Sequence, residues 1–222
     1  MTIALIAALP AEIRPLVRSW QKRGDLFHGR IGNLEAVAIA AGMGAAAATR
    51  ACERALASGK IDTLVSLGYA GSVSCGLQVG ASYAIREVID AATGERFLTD
   101  YPEGQRLISL DRVAGPDEKR RLATEHKAVL VDMEAAAVAR FARSHSLRFL
   151  CFKAVTDGPN DKLPDFNRFT GADGQLRIPA LLAWLAVHPR YWGAVRALAK
   201  NGRLAAEQLS FFVPRCLSDS YN

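Results

Sequence analysis

Apolar runs recur along this chain, and each ends in a glycine turn or a carboxylate. Residues 2–9 (TIALIAAL) are the first, followed at once by Pro10 and Glu12. An unbroken run of this kind predicts a strand buried on both faces of a parallel sheet. Proline and an acid suit the first turn of a helix, which the pattern extends to about Lys22 before Gly24 stops it. Residues 34–40 (LEAVAIA) predict a second strand, with a short hairpin partner at 26–30. It ends at Gly42-Met43-Gly44, and an alanine-rich helix follows to about Ser58. Residues 61–67 predict a third strand, closed by a turn at Gly68-Tyr69-Ala70-Gly71. Residues 82–91 alternate weakly and predict a long strand near a sheet edge.

Further along, a short strand at 107–110 precedes a polar helix over 116–125. A strand at 128–131 leads into a helix over 134–145, and 148–155 is another buried strand. Residues 156–174 form a loop rich in Asp, Gly, Pro and Asn, and 178–217 are helical. Strands alternating with helices predict an α/β fold: three α-β-α layers around a mixed, mostly parallel twisted sheet, with a helical C-terminal tail. No Gly/Ser/Pro linker divides the 222 residues, so 1–222 reads as a single domain with the tail packed on it or extending from it.

Composition excludes several classes. Half the residues are hydrophobic, too many for a disordered chain. The longest uncharged apolar run, 36–48, is shorter than a membrane span and is interrupted by glycines. Residues 1–9 carry no basic leader and do not read as a signal peptide. Cys52, Cys75, Cys151 and Cys216 lie far apart with no CxxC, which predicts reduced thiols in a cytoplasmic protein. The net charge is +6, with the excess mostly after residue 110. No helix-turn-helix, zinc-finger or RNP pattern accompanies it, so no nucleic-acid partner is expected. Apolar and basic residues mix in the tail, which leaves peripheral membrane contact, an oligomer interface and ordinary core packing as its three readings. His28, His126, His145 and His188 show no metal-site spacing, and no metal is expected.

Ligands of open α/β sheets bind at the carboxyl ends of strands. There the chain places Glu12, Gly42, Gly44, Gly68, Tyr69, Gly71, Asp132, Met133, Glu134, Thr156 and Asp157. The glycine turns fit neither GxGxxG nor the phosphate loop, so a dinucleotide or ATP site is poorly supported. Asp132 and Glu134 read locally as helix-start acids, but a carboxylate there can also accept two hydrogen bonds from a sugar diol, with Met133 against the ribose face. Asp157 reads either as an Asx turn before Gly158 or as a partly desolvated general acid.

Together, Glu12 after the first strand, GMG at 42–44, LGYAG at 67–71, VDMEAAAVA at 131–139 and KAVTD at 153–157 resemble the nucleoside phosphorylase and nucleosidase superfamily. Within it, SLDRVAGPDEKRRL at 109–122, DGPNDKLPDF at 157–166 and the helical tail after Gly171-Ala172-Asp173-Gly174 look most like the hopanoid-associated branch, which is associated with removing adenine from adenosylhopane. The resemblance implies cleavage of the N-glycosidic bond of an adenine nucleoside. Asp157 matches the acid that protonates the leaving purine, and Glu12 the acid that handles attacking water. Glu134 matches the ribose-binding carboxylate, and Met133 the residue beneath the sugar. Lys153 stands where the nucleosidases have an arginine, and Tyr69 where the family has serine. Gly44, Gly68 and Tyr69 fall in the nucleophile or phosphate region, while Val113, Val155 and Thr156 fall in the base pocket. Ser66 replaces a phosphate-binding arginine. Water is therefore the expected nucleophile, with no cofactor. Inorganic phosphate as co-substrate, giving a sugar 1-phosphate, is the alternative. A nucleoside-binding protein without catalysis is a second alternative. The resemblance also implies a homodimer.

Overall fold

The computed structural model describes residues 1–171 and 173–221. Ala172, within the stretch that carries the closer resemblance, and Asn222 lie outside the described residues. The strands are β1 (Thr2–Ala7), β2 (Gln21–Arg23), β3 (Leu26–Ile31), β4 (Leu34–Ala40), β5 (Thr63–Ser72), β6 (Ser82–Asp90), β7 (Arg96–Leu98), β8 (Gln105–Ser109), β9 (Leu130–Asp132) and β10 (Arg148–Asp157). The helices are α1 (Pro10–Ile13), α2 (Ala45–Ala57), α3 (Pro116–His126), α4 (Ala135–Ser144), α5 (Ile178–Ala186) and α6 (Trp192–Tyr221). All belong to the three-layer α/β fold that the alternating pattern predicts.

One mixed sheet runs β10-β6-β8-β9-β5-β1-β4-β3-β2, and β10 also pairs with β5. The second pairing closes β5, β10, β6, β8 and β9 into a ring. The strands with the strongest apolar runs, β4, β1, β5 and β10, are mutually parallel where they pair. Their side chains alternate between two cores. Ala4, Ile6, Val37 and Ile39 face α2 and α4 on one side; Ile3, Leu5, Val65 and Phe152 face α6 on the other. Residues on both faces must then be apolar, which is why these runs show no polar alternation.

Several expectations are corrected. The first helix ends at Ile13 instead of Lys22. Pro15 has no N–H to continue the ladder, so residues 14–19 form turns and Gln21–Arg23 pairs with Leu26–His28 as a hairpin. The glycine-rich stretch 68–71 is not a turn. It continues β5, with Gly68 opposite Lys153 and Ala70 opposite Val155. β10 likewise runs two residues further than predicted, to Asp157, with a register shift after Val155. β6 is no edge strand, because ring closure gives it β10, β8 and β7 as neighbours. β7 has three residues and no apolar signature of its own. The tail packs on the sheet: Ala205, Leu209, Val213 and Leu217 of α6 are buried against Leu5 and Phe152. Among the described residues, no helix is long and apolar enough to cross a membrane.

Candidate active site

The carboxyl ends of β1, β5, β9 and β10 open into a cavity of about 710 Å³. Asp132 and Glu207 line it, and three further acids stand in its wall: Glu12, Glu134 and Asp157. They come from positions 122 and 23 residues apart, so the fold alone assembles them.

Glu12 is buried, at 4% exposure. Its Oε2 accepts hydrogen bonds from the Ala8 and Leu9 N–H groups, both at 2.8 Å, and its Oε1 accepts from Tyr69 N at 2.9 Å. Gly68 makes the room. Its φ is +152°, and a Cβ there would stand 2.7 Å from Glu12 Oε1. Burial holds the Glu12 carboxyl above the ordinary glutamate range, although the backbone donors and Lys153 pull the other way.

Glu134 opens α4. Its Oε1 accepts from Gly44 N at 2.7 Å, and Gly44 adopts φ +88° to aim that N–H. Burial, then the charge of Asp132, push its pKa up to about 7, against the opposing pull of Lys153. The preceding Asp132 takes the structural part instead. Its Oδ2 accepts from Ala135 N at 3.0 Å at the start of α4, and its Oδ1 accepts from the Ser109 hydroxyl.

Asp157 ends β10. Thr156 Oγ1 donates to its Oδ1 at 2.9 Å, and Lys119 Nζ donates to its Oδ2 at 2.5 Å. Lys119 belongs to α3, is 1% exposed and lines the cavity. Sequence reasoning missed it, because its run DEKRR reads as a solvated helix face.

Met133, Tyr69, Val113 and Thr156 also line the cavity. Gly44 and Gly68 do not; they act by placing Glu134 and Glu12. Lys153 does not reach the wall either. It lies beneath the floor, paired at 2.8 Å with Asp132, both side chains nearly inaccessible. Burial opposes its charge, but Asp132 and Glu134 outweigh it and hold the ammonium firmly protonated. Val155 is turned away as well. It sits one position before Thr156 on the same strand, so its side chain enters the core with Ala70 and Ile85. Ser66, also on a central strand, is buried and off the wall.

The opposite wall is largely apolar. Leu163, Phe166, Leu176, Leu181, Val195 and Leu198 come from the segment 156–177, α5 and α6. Met43 N donates to Gly174 O at 2.7 Å, which docks the loop on the Gly42–Gly44 turn. A Cβ on Gly42 would stand 2.8 Å from the Gly174 backbone, so this approach needs glycine. Asn201 Nδ2 donates to Thr156 O at 2.9 Å and ties α6 to the end of β10.

Three comparisons place this arrangement among known proteins. A family model described as the phosphorylase superfamily matches residues 2–125 and 92–182. No curated protein sequence matches the chain. Among solved structures, similar ones include the 5′-methylthioadenosine/S-adenosylhomocysteine nucleosidase of Helicobacter pylori with butyl-thio-DADMe-Immucillin-A, at TM-score 0.73 and 14% identity, covering 99% of this chain and 98% of that one. The futalosine hydrolase of Helicobacter pylori strain 26695 has TM-score 0.74 and 14% identity, with the same coverage. The 5′-methylthioadenosine nucleosidase of Arabidopsis thaliana has TM-score 0.75 and 16% identity, covering 100% of this chain and 96% of that one. At these identities the likeness is one of fold.

Proposed function

We propose that this chain, which belongs to the phosphorylase superfamily, cleaves the N-glycosidic bond of a purine nucleoside with water as nucleophile. The observation that carries this reading is the convergence of Glu12, Glu134 and Asp157 on one cavity. Bond cleavage leaves an oxocarbenium-like sugar and a purine that departs poorly as an anion. Asp157 is the group through which the base receives its proton, and Glu134 holds the ribose hydroxyls over Met133. Glu12 positions water and takes its proton, a task suited to a glutamate whose basicity burial raises above the ordinary value. The division of labour parallels glycoside hydrolysis, where one carboxyl serves the leaving group and another the nucleophile.

Glu12 itself favours water over phosphate. It already accepts the Ala8, Leu9 and Tyr69 N–H donors, the groups an incoming anion would use. A phosphate there would face a carboxylate. For the 5′ substituent we infer a bulky apolar group, as in adenosylhopane. The wall of Leu163, Phe166, Leu176, Leu181, Val195 and Leu198 supports that, as does a volume well inside the span of about 300–1,000 Å³ of small-molecule sites. Asp157→Asn should lower adenine release, measured per folded molecule, by about 100-fold or more. Wild-type rates in that variant would remove Asp157 from the mechanism. Identifying the sugar product with and without inorganic phosphate separates the two nucleophiles. Formation of a sugar 1-phosphate would overturn the assignment of water.

A further inference from the structure

Lys119 has no place in the chemistry described so far. It is 1% exposed in the first turn of α3, where a cation is disfavoured by the helix dipole. Its sequence neighbours Asp117, Arg120 and Arg121 keep exposed side chains with surface ion pairs. Lys119 alone turns inward. Burying an ammonium is costly unless it is paired and hydrogen-bonded. Here Nζ donates to Asp157 Oδ2 at 2.5 Å and to Gly158 O at 2.7 Å. The fold makes space for the pair: a Cβ on Gly71 would stand 2.8 Å from Asp157 Oδ2 and 3.1 Å from Lys119 Nζ. A local rule broken in the wall of a site, with the neighbouring strand cleared for it, marks a functional arrangement.

In this ion pair the transferable proton stands on Nζ, and the carboxylate accepts from both Lys119 and Thr156. We propose that the acid of the reaction is the Lys119–Asp157 pair, with Lys119 supplying the proton and Asp157 handing it to the leaving base. The inference rests on the nucleoside-cleaving function proposed above. In the step, the bond between C1′ and the base nitrogen breaks, and its electron pair stays with the base. One proton leaves Lys119 Nζ, passes through the Asp157 carboxyl and is received at a ring nitrogen of the base. Asp157 is a carboxylate before and after, and Lys119 is left as a neutral amine. Water adds its hydroxyl to C1′ and gives its other proton to Glu12; exchange with solvent restores Lys119 and Glu12. Lys119 acts through Asp157 and is a positioning residue.

The test compares two substrates within each protein: adenosine, and a purine nucleoside methylated at N7. The methylated base already carries a positive charge and leaves neutral without receiving a proton. In Lys119→Gln, kcat for adenosine should fall about 100-fold, and the methylated substrate far less, so the ratio of the two kcat values shifts at least about tenfold from wild type. Lys119→Arg keeps the charge and the hydrogen bond, but a guanidinium does not give up its proton. It should shift the ratio in the same direction. A loss of folded protein lowers both rates together and cancels in the ratio. An unchanged ratio in both variants would overturn the proposal and leave Lys119 a structural cation. Wild-type behaviour in Lys119→Arg would overturn it too, since charge alone would then suffice. If the wild-type protein releases base from neither substrate, nor from an adenine nucleoside carrying an apolar 5′ substituent, the nucleosidase reading itself falls.

Discussion

Glu134 has a direct thermodynamic consequence at the level of a single residue. Its pKa is pushed up to about 7 by burial and by Asp132. In the unfolded chain it returns to about 4.5, the ordinary value. Between those limits the folded protein binds more protons at this site than the unfolded one, so stability falls as pH rises through the window. The contribution is fully present below pH 4.5 and gone above about 7. Glu134→Gln removes the titration, so the difference in melting temperature between variant and wild type should grow in the variant's favour from pH 4.5 to 7 and then level off. Parallel curves over that window would show that Glu134 does not titrate there. The three acids themselves were legible in the sequence, because each follows an apolar strand. Lys119 was not. A lysine flanked by Asp117, Glu118, Arg120 and Arg121 looks like surface, and nothing local reports a partner 38 residues away.

Between elements, the least legible feature is what holds the strand ends together. Glycines 68 and 71 read as turn residues because glycine is the usual marker of a turn. In the fold they serve β5 by leaving volume, Gly68 for Glu12 and Gly71 for the Lys119–Asp157 pair. Local sequence reports conformational freedom and says nothing of a side chain arriving from another strand. The same holds for Lys153 on β10. Its pairing with Asp132 ties β10 to β9 beneath the cavity, with side-chain exposures of 2% and 0%. Removing one partner of such a pair strands a charge. Lys153→Met should therefore destabilise the protein by about 3–5 kcal/mol. Adding Asp132→Asn to it should cost less than the sum of the two single changes, since the stranded charge is then gone. Denaturant unfolding of the three variants checks this, and simple additivity would mean the two groups do not interact.

Over the whole molecule, the tail matters more than its place in the sequence suggests. The family match stops at residue 182, yet Val195, Leu198, Ala199, Gly202, Arg203 and Ala206 line the cavity. The part of the chain that the family pattern does not cover therefore faces the proposed substrate. It can do so only because the other face of α6 is anchored in the main core. Leu209 is 1% exposed among Leu5, Val65 and Phe152, while Phe211 on the same helix is 71% exposed. Leu209→Ala should cost about 2–5 kcal/mol through the lost contacts and the cavity left behind. Phe211→Ala should stay within about 0.5 kcal/mol. Both are read from urea midpoints at constant slope. If α6 were an appendage resting loosely on the sheet, both changes would cost little. If Phe211→Ala cost as much as Leu209→Ala, the outer face of α6 would be covered in solution. The predicted contrast follows from one helix that seals a core on one side while its turns between Val195 and Ala206 close the cavity, so loosening the anchor should weaken substrate binding along with stability.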